Sequence, residues 1–329
     1  MEKQKILITG AAGYIGSVVS NYLSNYYHVF GLDNLSVGKK YLLNNKISFI
    51  KSDFANVKFL NSFFKKNKII AVIHLAAYTS VTESVVKPEK YYYNNFLKTK
   101  ILIDVIKKYN IKKFIFSSTC AVYGEPNHLP INENEKKDPE NPYGKSKLMS
   151  EWLIKDYLTD SNTNYLILRF FNVLGAQSDL KAGHIDKNSQ QLLKKIFDCI
   201  VSKKYKIDIY GKNCKSNDGT CVRDYIDVRD LAIIIKKGIF FLNKKKSEII
   251  NCGYGRGFTV LQIVNEVERL INKRFYKNFK EKRAGDPDIL FSDNIKISKL
   301  LKWKPKYNNL KDMIKISYTW FKKNYYENM

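Results

Sequence analysis

A tyrosine and a lysine four residues apart, Tyr143 and Lys147, carry side chains that together could move a proton. On a helix this spacing places both side chains on the same side. A phenol ionises with a pKa of about 10, which is too high for a base at neutral pH. A neighbouring ammonium and the positive ring of an oxidised nicotinamide would both favour the phenolate. We therefore expect Tyr143 and Lys147 to be catalytic, with Tyr143 taking a proton from a substrate hydroxyl as a hydride leaves.

A run of hydroxyl side chains, Ser117 to Thr119, ends the predicted strand 113–118 and precedes this pair. Thr119 could hydrogen-bond the same substrate oxygen and is the third expected catalytic residue. In a chain rich in tyrosine and lysine, Tyr143 and Lys147 could also be an unrelated surface pair with this spacing by chance. The position of the pair after this strand favours a catalytic role.

Three glycines, Gly10, Gly13 and Gly16, follow the first apolar run of the chain and precede a predicted helix. Such glycines form a tight turn, let backbone amides approach a diphosphate and pack the helix on the strand. A second apolar run, 29–32, ends in Asp33, whose carboxylate could accept both hydroxyls of an adenosine ribose. No arginine lies within 34–38 to bind a 2′-phosphate, so the pattern predicts NAD rather than NADP.

Apolar strands and helices alternate from residue 6 to residue 170, and continuous apolar runs such as 69–77 indicate strands buried on both faces. This order predicts an α/β protein: a Rossmann doubly wound parallel sheet with helices on both faces, plus a smaller C-terminal α/β lobe. We expect an NAD-binding domain at 1–174, a return segment at about 224–254, and a substrate lobe formed by 175–223 and 255–329. Asp53 after the third strand and Ala76 and Ala77 at the end of the fourth are expected at the cofactor.

The net charge of +26 is the unusual feature of the composition. It permits nucleic-acid or anionic-membrane binding, but the lysines are spread along the whole chain, so we expect no nucleic-acid partner. No apolar run approaches the roughly 18 residues of a membrane span, and the first strand leaves no room for a signal peptide. We therefore expect a cytoplasmic protein. The five cysteines are scattered and unaccompanied by histidine clusters, which predicts buried free thiols and no metal site.

Several longer segments then point to a family: TGAAGYIG, DNLS at 33–36, VTESVVKPEKYYYNN, FIFSSTCAVYGEP, NPYGKSKLMSE, LRFFNVLGA and DGTCVRDYIDVRDLA. In this order the chain resembles the UDP-glucose (UDP-galactose) 4-epimerases of the extended short-chain dehydrogenase/reductase family, from residue 6 to about 303. The resemblance implies an isomerase that interconverts the C4 epimers of a UDP-hexose through a 4-keto sugar, with tightly held NAD. It also implies a homodimer. The apolar excess on the predicted helices 91–109 and 143–157 agrees with this expectation.

The resemblance assigns further contacts to residues of this chain. Additional cofactor-binding residues are expected at Tyr14, Ile15, Asn34, Phe54, Asn95 and Ser117, and at the catalytic candidates Tyr143 and Lys147. Substrate-binding residues are expected at Asn172, Gln191, Leu192, Tyr210, Arg223, Arg283, Asp286 and Leu290. Among these, Arg223 and Arg283 suit forked contacts with the diphosphate.

The chain departs from the family pattern at several positions. A usual lysine is Thr79, a usual pair of asparagines is Gln190-Gln191, the histidine of YIHV is Asp227, and the tyrosine of RYFN is Phe170. Leu290 stands where a bulky tyrosine or a small residue tunes sugar size. A side chain less bulky than tyrosine leaves space at C2, so UDP-GlcNAc and UDP-GalNAc are possible substrates alongside UDP-glucose and UDP-galactose.

Other functions remain open from the sequence. A nucleotide-sugar 4,6-dehydratase normally carries Asp-Glu after the Thr119 position, where this chain has Cys120-Ala121. A UDP-uronate epimerase would need a further cation for its carboxylate. A cofactor-sensing regulator or a nucleic-acid binder is the non-enzyme alternative, but the intact Tyr143 and Lys147 pair argues against it.

Overall fold

A seven-stranded sheet forms the centre of the protein, which we describe from a computed structural model over residues 3–244, 246–283 and 286–326. All its strand pairs are parallel, in the order β10-β6-β5-β4-β1-β2-β3. The strands are β1 (Lys5–Thr9), β2 (His28–Asp33), β3 (Ser48–Lys51), β4 (Ile69–His74), β5 (Lys113–Thr119), β6 (Asn164–Phe170) and β10 (Glu248–Cys252). The predicted α/β fold class is confirmed.

Helices cover both faces of this sheet because its strands carry apolar side chains on both sides. The helices before the second lobe are α1 (Tyr14–Leu23), α2 (Val57–Lys66), α3 (Val81–Val86), α4 (Pro88–Tyr91), α5 (Lys98–Lys108) and α6 (Pro142–Leu158). Side chains of α1 share one buried cluster with those of a later helix, α8 (Val228–Phe241). Side chains of α2, α5 and α6 belong to the cluster on the opposite face.

The remaining strands form two small sheets. Four of them, β7 (Asn172–Leu174), β9 (Val222–Asp227), β11 (Gly257–Thr259) and β13 (Ile289–Leu290), join around β9. The other two, β8 (Lys206–Tyr210) and β12 (Tyr276–Lys280), pair in parallel. Four helices accompany them: α7 (Leu192–Val201), α9 (Val260–Ile271), α10 (Ile295–Leu301) and α11 (Leu310–Tyr326).

Two expectations about local structure differ from what the structure shows. The predicted strand 69–77 ends at His74, and the chain then continues as a loop in which the Leu75 amide still bonds the Thr9 carbonyl at 3.1 Å. Within the return segment 224–254, α8 and β10 reach the large sheet, whereas β9 pairs with β7, β11 and β13. The division into two domains stays a prediction.

The helical stretch from Pro88 to Lys108 contains one turn type that the sequence did not predict. Residues Tyr92–Leu97, between α4 and α5, form a π-helix. A π turn shifts the residues after it relative to an α-helix, and such turns are frequent at functional sites. This one carries Asn95, an expected cofactor residue.

Candidate functional site

The candidate catalytic pair lies on the first turns of α6. Asn141 caps this helix by accepting the Gly144 amide at 2.9 Å, and Pro142 occupies its first turn. Tyr143 is partly exposed, whereas Lys147, one turn later, is buried. The Lys147 Nζ donates to the Ser117 carbonyl at 2.8 Å and lies 4.7 Å from the centre of the Phe116 ring. The helix is therefore fixed to the end of β5 through its lysine.

The electrostatics of this pair differ from the sequence expectation. Burial raises the pKa of Tyr143 to about 12, and its hydrogen bond with Thr119 acts in the opposite direction. Burial lowers the pKa of Lys147 to about 7, while the negative charge of Glu151 acts to raise it. Burial penalises both charged forms. A phenolate at neutral pH therefore needs a further positive charge beside Tyr143, which an oxidised nicotinamide would supply.

Ser117 and Thr119 lie at the carboxyl end of β5, as predicted. The Ser117 hydroxyl donates to the His74 carbonyl at 3.0 Å, so it ties β5 to β4. Thr119 accepts the Ala121 amide at 3.1 Å and is hydrogen-bonded to Tyr143. The structure thus brings Thr119, Tyr143 and Lys147 to one edge of the large sheet.

The glycine turn joins β1 to α1 at the same edge. Gly10 has a φ of +69°, and a Cβ there would lie 2.7 Å from the backbone of Ala76. A Cβ on Gly16 would lie 1.9 Å from the Gly10 carbonyl oxygen. Gly13 caps the helix, and its nearest neighbour to an added Cβ is 3.4 Å away. Gly10 and Gly16 are therefore required by packing, whereas Gly13 leaves space in front of the helix.

Asp33 lies at the end of β2, next to this turn. Its carboxylate accepts the amides of Ala12 at 3.0 Å and Leu35 at 2.8 Å. Burial raises the pKa of Asp33, and the two amide bonds oppose that effect. Asn34 is exposed and contacts Asp53 through its side chain at 3.5 Å.

The first helical residues have different roles from one another. The Tyr14 hydroxyl donates to the Gly175 carbonyl at 2.8 Å, and its ring packs edge-on against His184. Ile15 packs against the core. Their side chains thus hold α1 in place, and their backbone amides are the groups that a helix N-terminus offers to an anion.

Asp53 and Phe54 follow β3. Although burial opposes it, the ion pair with Lys98, at 2.6 Å, lowers the pKa of Asp53 and keeps it charged. The Phe54 ring is buried against His74. Ala76 and Ala77 lie in the loop after β4, and Ala76 contacts the glycine turn.

Asn95, on the π-helix, is almost fully buried and fixes the loop after β4. Its Oδ1 accepts the Tyr78 amide at 3.0 Å, and its Nδ2 donates to the Tyr78 carbonyl at 2.9 Å. Both ends of the amide are therefore engaged by the protein backbone. This geometry indicates that Asn95 shapes the cofactor side of the site by holding Tyr78.

Three expected substrate residues lie on neighbouring strands of the four-stranded sheet. Arg223 on β9 is opposite Leu290 on β13, and Asn172 on β7 is opposite Tyr225. Asn172 is exposed, whereas Leu290 is buried in a cluster with Cys120 and Phe171. These residues are more than fifty positions apart in the sequence, and the small sheet brings them onto adjacent strands.

Arg223 is held by several groups. Its Nη2 forms a short ion pair with Asp286, and its Nη1 donates to the Val222 carbonyl at 2.8 Å. The Arg283 guanidinium lies 4.1 Å from the centre of the Tyr210 ring. Residues 284 and 285, between Arg283 and Asp286, lie outside the described residues.

Leu192, which is partly buried, is the first residue of α7, and the exposed Gln191 precedes it at the N-cap. Gln191 lines a small hollow together with Tyr14, Gly175 and His184. The hollow lies between Tyr14, the first residue of α1, and residues of the second lobe.

Comparison with known proteins places the chain in a family. A family model described as "NAD dependent epimerase/dehydratase family" matches residues 6–253. The UDP-glucose 4-epimerase of Azospirillum brasilense is 34% identical over 96% of this chain and 91% of that protein. UDP-arabinose 4-epimerase 1 of Arabidopsis thaliana is 35% identical over 96% of this chain and 79% of that protein. The chain belongs to the NAD-dependent epimerase/dehydratase family.

A solved structure supports this membership. UDP-glucose 4-epimerase from Brucella ovis, in complex with NAD, superposes with a TM-score of 0.92 at 33% identity, covering 97% of this chain and 98% of that one. The cofactor of this NAD-dependent family fits the residues present here. Gly13 leaves space before the α1 amides, and Asp33 ends β2 beside the turn. The expected cofactor, NAD, is confirmed.

Sequence reasoning missed one buried ion pair of this epimerase/dehydratase fold. Glu151 on α6 and Arg169 on β6 are each 2% exposed, with 2.6 Å between Arg169 Nη2 and Glu151 Oε2. Arg169 also donates to the Tyr123 hydroxyl at 2.8 Å, and Tyr123 in turn donates to Asn251 at 2.7 Å. A signal was present, because Glu151 follows Lys147 by four residues and Arg169 interrupts an apolar strand.

Two further properties concern metals and membranes. Within residues 3–244, 246–283 and 286–326, no three or more His, Cys, Asp and Glu side chains are grouped so as to hold a metal ion. Over the same ranges, no helix combines the length and the apolarity that crossing a bilayer requires.

Proposed function

We propose that this chain interconverts the C4 epimers of a UDP-sugar, with UDP-glucose and UDP-galactose as its principal pair. The observation that carries the proposal is the convergence of Thr119, Tyr143 and Lys147 at the edge of the large sheet where the glycine turn follows β1. The names of the relatives support 4-epimerisation of a UDP-sugar. Each relative is named as a UDP-sugar 4-epimerase, and the names differ only in the sugar.

Tyr143 acts as the proton acceptor and donor at its hydroxyl oxygen. NAD bound at the glycine turn supplies a reversible acceptor for the hydride of C4 and a positive charge beside Tyr143. That charge favours the phenolate, which burial disfavours. Thr119, hydrogen-bonded to Tyr143, positions the C4 hydroxyl for transfer of its proton. Lys147 keeps a fixed position against Ser117 and adds its own charge when protonated.

The residues of the second lobe hold the UDP part. Arg223 and Arg283 bind the diphosphate, with Arg223 oriented by Asp286 and Arg283 by Tyr210. Asn172, Gln191 and Leu192 complete the contacts to the nucleotide sugar. Firm binding of UDP retains the 4-keto sugar while the sugar ring, held loosely, turns within the pocket.

N-acetylated sugars are the second candidate substrate pair. Leu290 lies with Cys120 and Phe171, and a leucine at this position leaves more room at C2 than a tyrosine would. This proposal adds UDP-GlcNAc and UDP-GalNAc to the substrate range of the same site.

The 4,6-dehydratase alternative is disfavoured by the residue after Thr119. Burial raises the pKa of the Cys120 thiol to about 12, so it would be a poor proton carrier at neutral pH. Cys120 also packs in an apolar cluster with Val122 and Leu290. We therefore favour epimerisation, in which Tyr143 alone moves the proton.

We also propose that the chain divides into an NAD-binding domain and a UDP-sugar lobe at the predicted boundaries.

We further propose that the protein forms a homodimer. Large apolar side chains are exposed on α3, on the π-helix and on α6: Val85, Val86, Tyr93, Leu97 and Trp152. A second copy packed on these helices would cover them. Light scattering on the intact chain and on Trp152→Glu tests this, since the variant should shift toward the monomer.

The deciding experiment supplies purified protein with UDP-galactose, UDP-GalNAc, UDP-arabinose or a UDP-uronate, without added NAD. The C4 epimer of UDP-galactose should form with no net NADH. A 4-keto-6-deoxy sugar would instead show a dehydratase, and turnover of UDP-arabinose or the uronate alone would move the proposal to that sugar. Absence of any turnover in protein that carries NAD would contradict the proposal.

A further inference from the structure

Two of the scattered cysteines lie in contact in the folded protein. The Sγ atoms of Cys214 and Cys221 are 2.9 Å apart, and both thiols are free. Both side chains are buried. The sequence predicted isolated buried thiols, and a separation of seven residues gave no reason to expect this pair.

The loop that holds them, residues 211–221, is shaped around the two sulfurs. A Cβ on Gly211, where φ is +90°, would lie 2.8 Å from the Cys214 sulfur and 3.0 Å from the Cys221 sulfur. The Cys214 amide donates to the Gly219 carbonyl at 2.9 Å, which closes the loop behind the pair. The backbone itself therefore keeps the sulfurs together.

The same loop connects the expected substrate residues. It begins after Tyr210, which stacks on Arg283, and it ends two residues before Arg223. The Lys215 amide donates to the Asp288 side chain at 3.1 Å, and Arg223 Nη1 donates to the Asp288 carbonyl at 3.4 Å. A change in the position of Cys214 would therefore reach Arg223 through Asp288 as well as along the chain.

We propose that Cys214 and Cys221 form a modification site that hydrogen peroxide converts to a disulfide, and that this crosslink weakens the binding of a nucleoside diphosphate by Arg223. The second half rests on the proposed function. Drawing the sulfurs from their present contact to a bond of about 2.05 Å pulls the loop toward β9.

The chemistry balances with peroxide as the oxidant. One thiol is oxidised to a sulfenic acid as the O–O bond breaks and one water leaves. The second sulfur then attacks the sulfenic sulfur, the S–S bond forms, and the hydroxyl departs with the second thiol proton as another water. Burial raises the pKa of Cys214 to about 12, so its thiolate is scarce and the crosslink should form slowly.

Peptide mapping tests the crosslink on the full-length protein. Lys212, Lys215 and Arg223 are tryptic sites, so Cys214 and Cys221 fall on separate peptides when reduced. After peroxide treatment and alkylation, the two peptides should remain joined with the loss of two hydrogen atoms, and dithiothreitol should separate them. Cys214→Ser should abolish the joined species. Cys199→Ser, at a partly buried cysteine outside the loop, is the matched control and should leave it unchanged.

Calorimetry with UDP tests the coupling. Oxidised protein should bind UDP about tenfold more weakly than reduced protein, because an optimal charge-assisted hydrogen bond is lost. Amide hydrogen exchange in 222–227 should also change on oxidation without any ligand. If the two peptides stay separate under conditions that oxidise Cys199, the proposed modification site is wrong. If the crosslink is complete but UDP affinity and amide hydrogen exchange are unchanged, the proposed coupling to Arg223 is wrong. Failure of reduced protein to bind UDP would count against the proposed function and leave the crosslink result intact.

Discussion

Arg169 holds Glu151 in a bidentate pair, with 3.0 Å between Nε and Oε1 and 2.6 Å between Nη2 and Oε2. Glu151 Oε1 also accepts the Ser118 hydroxyl. One turn earlier on α6, Lys147 bonds the Ser117 carbonyl. Two consecutive residues of β5 are thus tied to two consecutive turns of the catalytic helix. We infer that the pair positions Tyr143, and that the negative charge of Glu151 supports the protonated state of Lys147.

The Glu151→Gln variant should show both effects. It leaves the Arg169 charge buried without its partner, which should destabilise the protein by about 3–5 kcal/mol. It also removes the negative charge that opposes the burial effect on Lys147, so the Lys147 pKa should fall further below about 7. The ammonium is then lost at lower pH, and the fall of kcat on the alkaline side should begin at lower pH than in the parent protein.

Denaturant unfolding and a pH–kcat profile measure these changes. Asp156→Asn removes an exposed carboxylate from the same helix and is the matched control, expected to alter neither. A destabilised Glu151→Gln protein with an unshifted pH profile would show that Glu151 has a structural role alone.

Tyr143→Phe should lower kcat by roughly 10²–10⁴-fold, since it removes the group that moves the proton. The ring stays, so NAD content after purification and the unfolding midpoint should be close to those of the parent. Tyr157→Phe, on the same helix and away from Thr119, should keep full activity. A Tyr143→Phe protein at parental speed would contradict the assignment of the base.

Two alanine variants separate packing from cofactor binding in the glycine turn. Gly16→Ala places a Cβ 1.9 Å from the Gly10 carbonyl, so α1 must move and stability should fall by about 1–3 kcal/mol. Gly13→Ala meets nothing in the protein closer than 3.4 Å and should be stability-neutral. Its methyl group occupies the space before the helix amides, so NAD should bind at least about tenfold more weakly. Thermal unfolding measures the stability of each variant, and NAD titration measures its affinity for the cofactor. Equal stability and equal affinity in the two variants would refute the separate roles of Gly16 and Gly13.

The sequence predicted the large sheet well because each of its strands is a local apolar run. The glycine turn, Asp33 and the helix that starts near Tyr143 also depend on local residue types. The structure places Asp33 against the turn and Tyr143 against Thr119. Partners distant in sequence were not predictable in this way. The Arg169 and Glu151 pair, the Cys214 and Cys221 contact, and the pairing of β9 with β7 all require the tertiary fold.

The pKa of Tyr143 is a similar case. The sequence shows that a lysine lies one turn away, but it does not show how the folded surroundings shift the pKa of either group. Burial outweighs the hydrogen bond with Thr119, so the phenol's pKa is raised to about 12. Tyr143 can therefore act as a base at neutral pH only with the positive charge of the cofactor beside it. The sequence, which shows Lys147 one turn away, does not reveal this need.

The substrate range can be tested at Leu290. Its side chain is 4% exposed and packs with Cys120 and Phe171. Leu290→Tyr should lower kcat/KM for UDP-GalNAc by about 10–200-fold relative to UDP-galactose, because the larger ring fills the space at C2. Overpacking should also cost about 1–3 kcal/mol of stability, whereas Leu290→Met conserves volume and should change little in either respect. Initial rates with both sugars and all three proteins measure the ratio. Equal losses on the two sugars would show that Leu290 does not face the C2 substituent, and a parent protein without activity on UDP-GalNAc would remove the second candidate substrate.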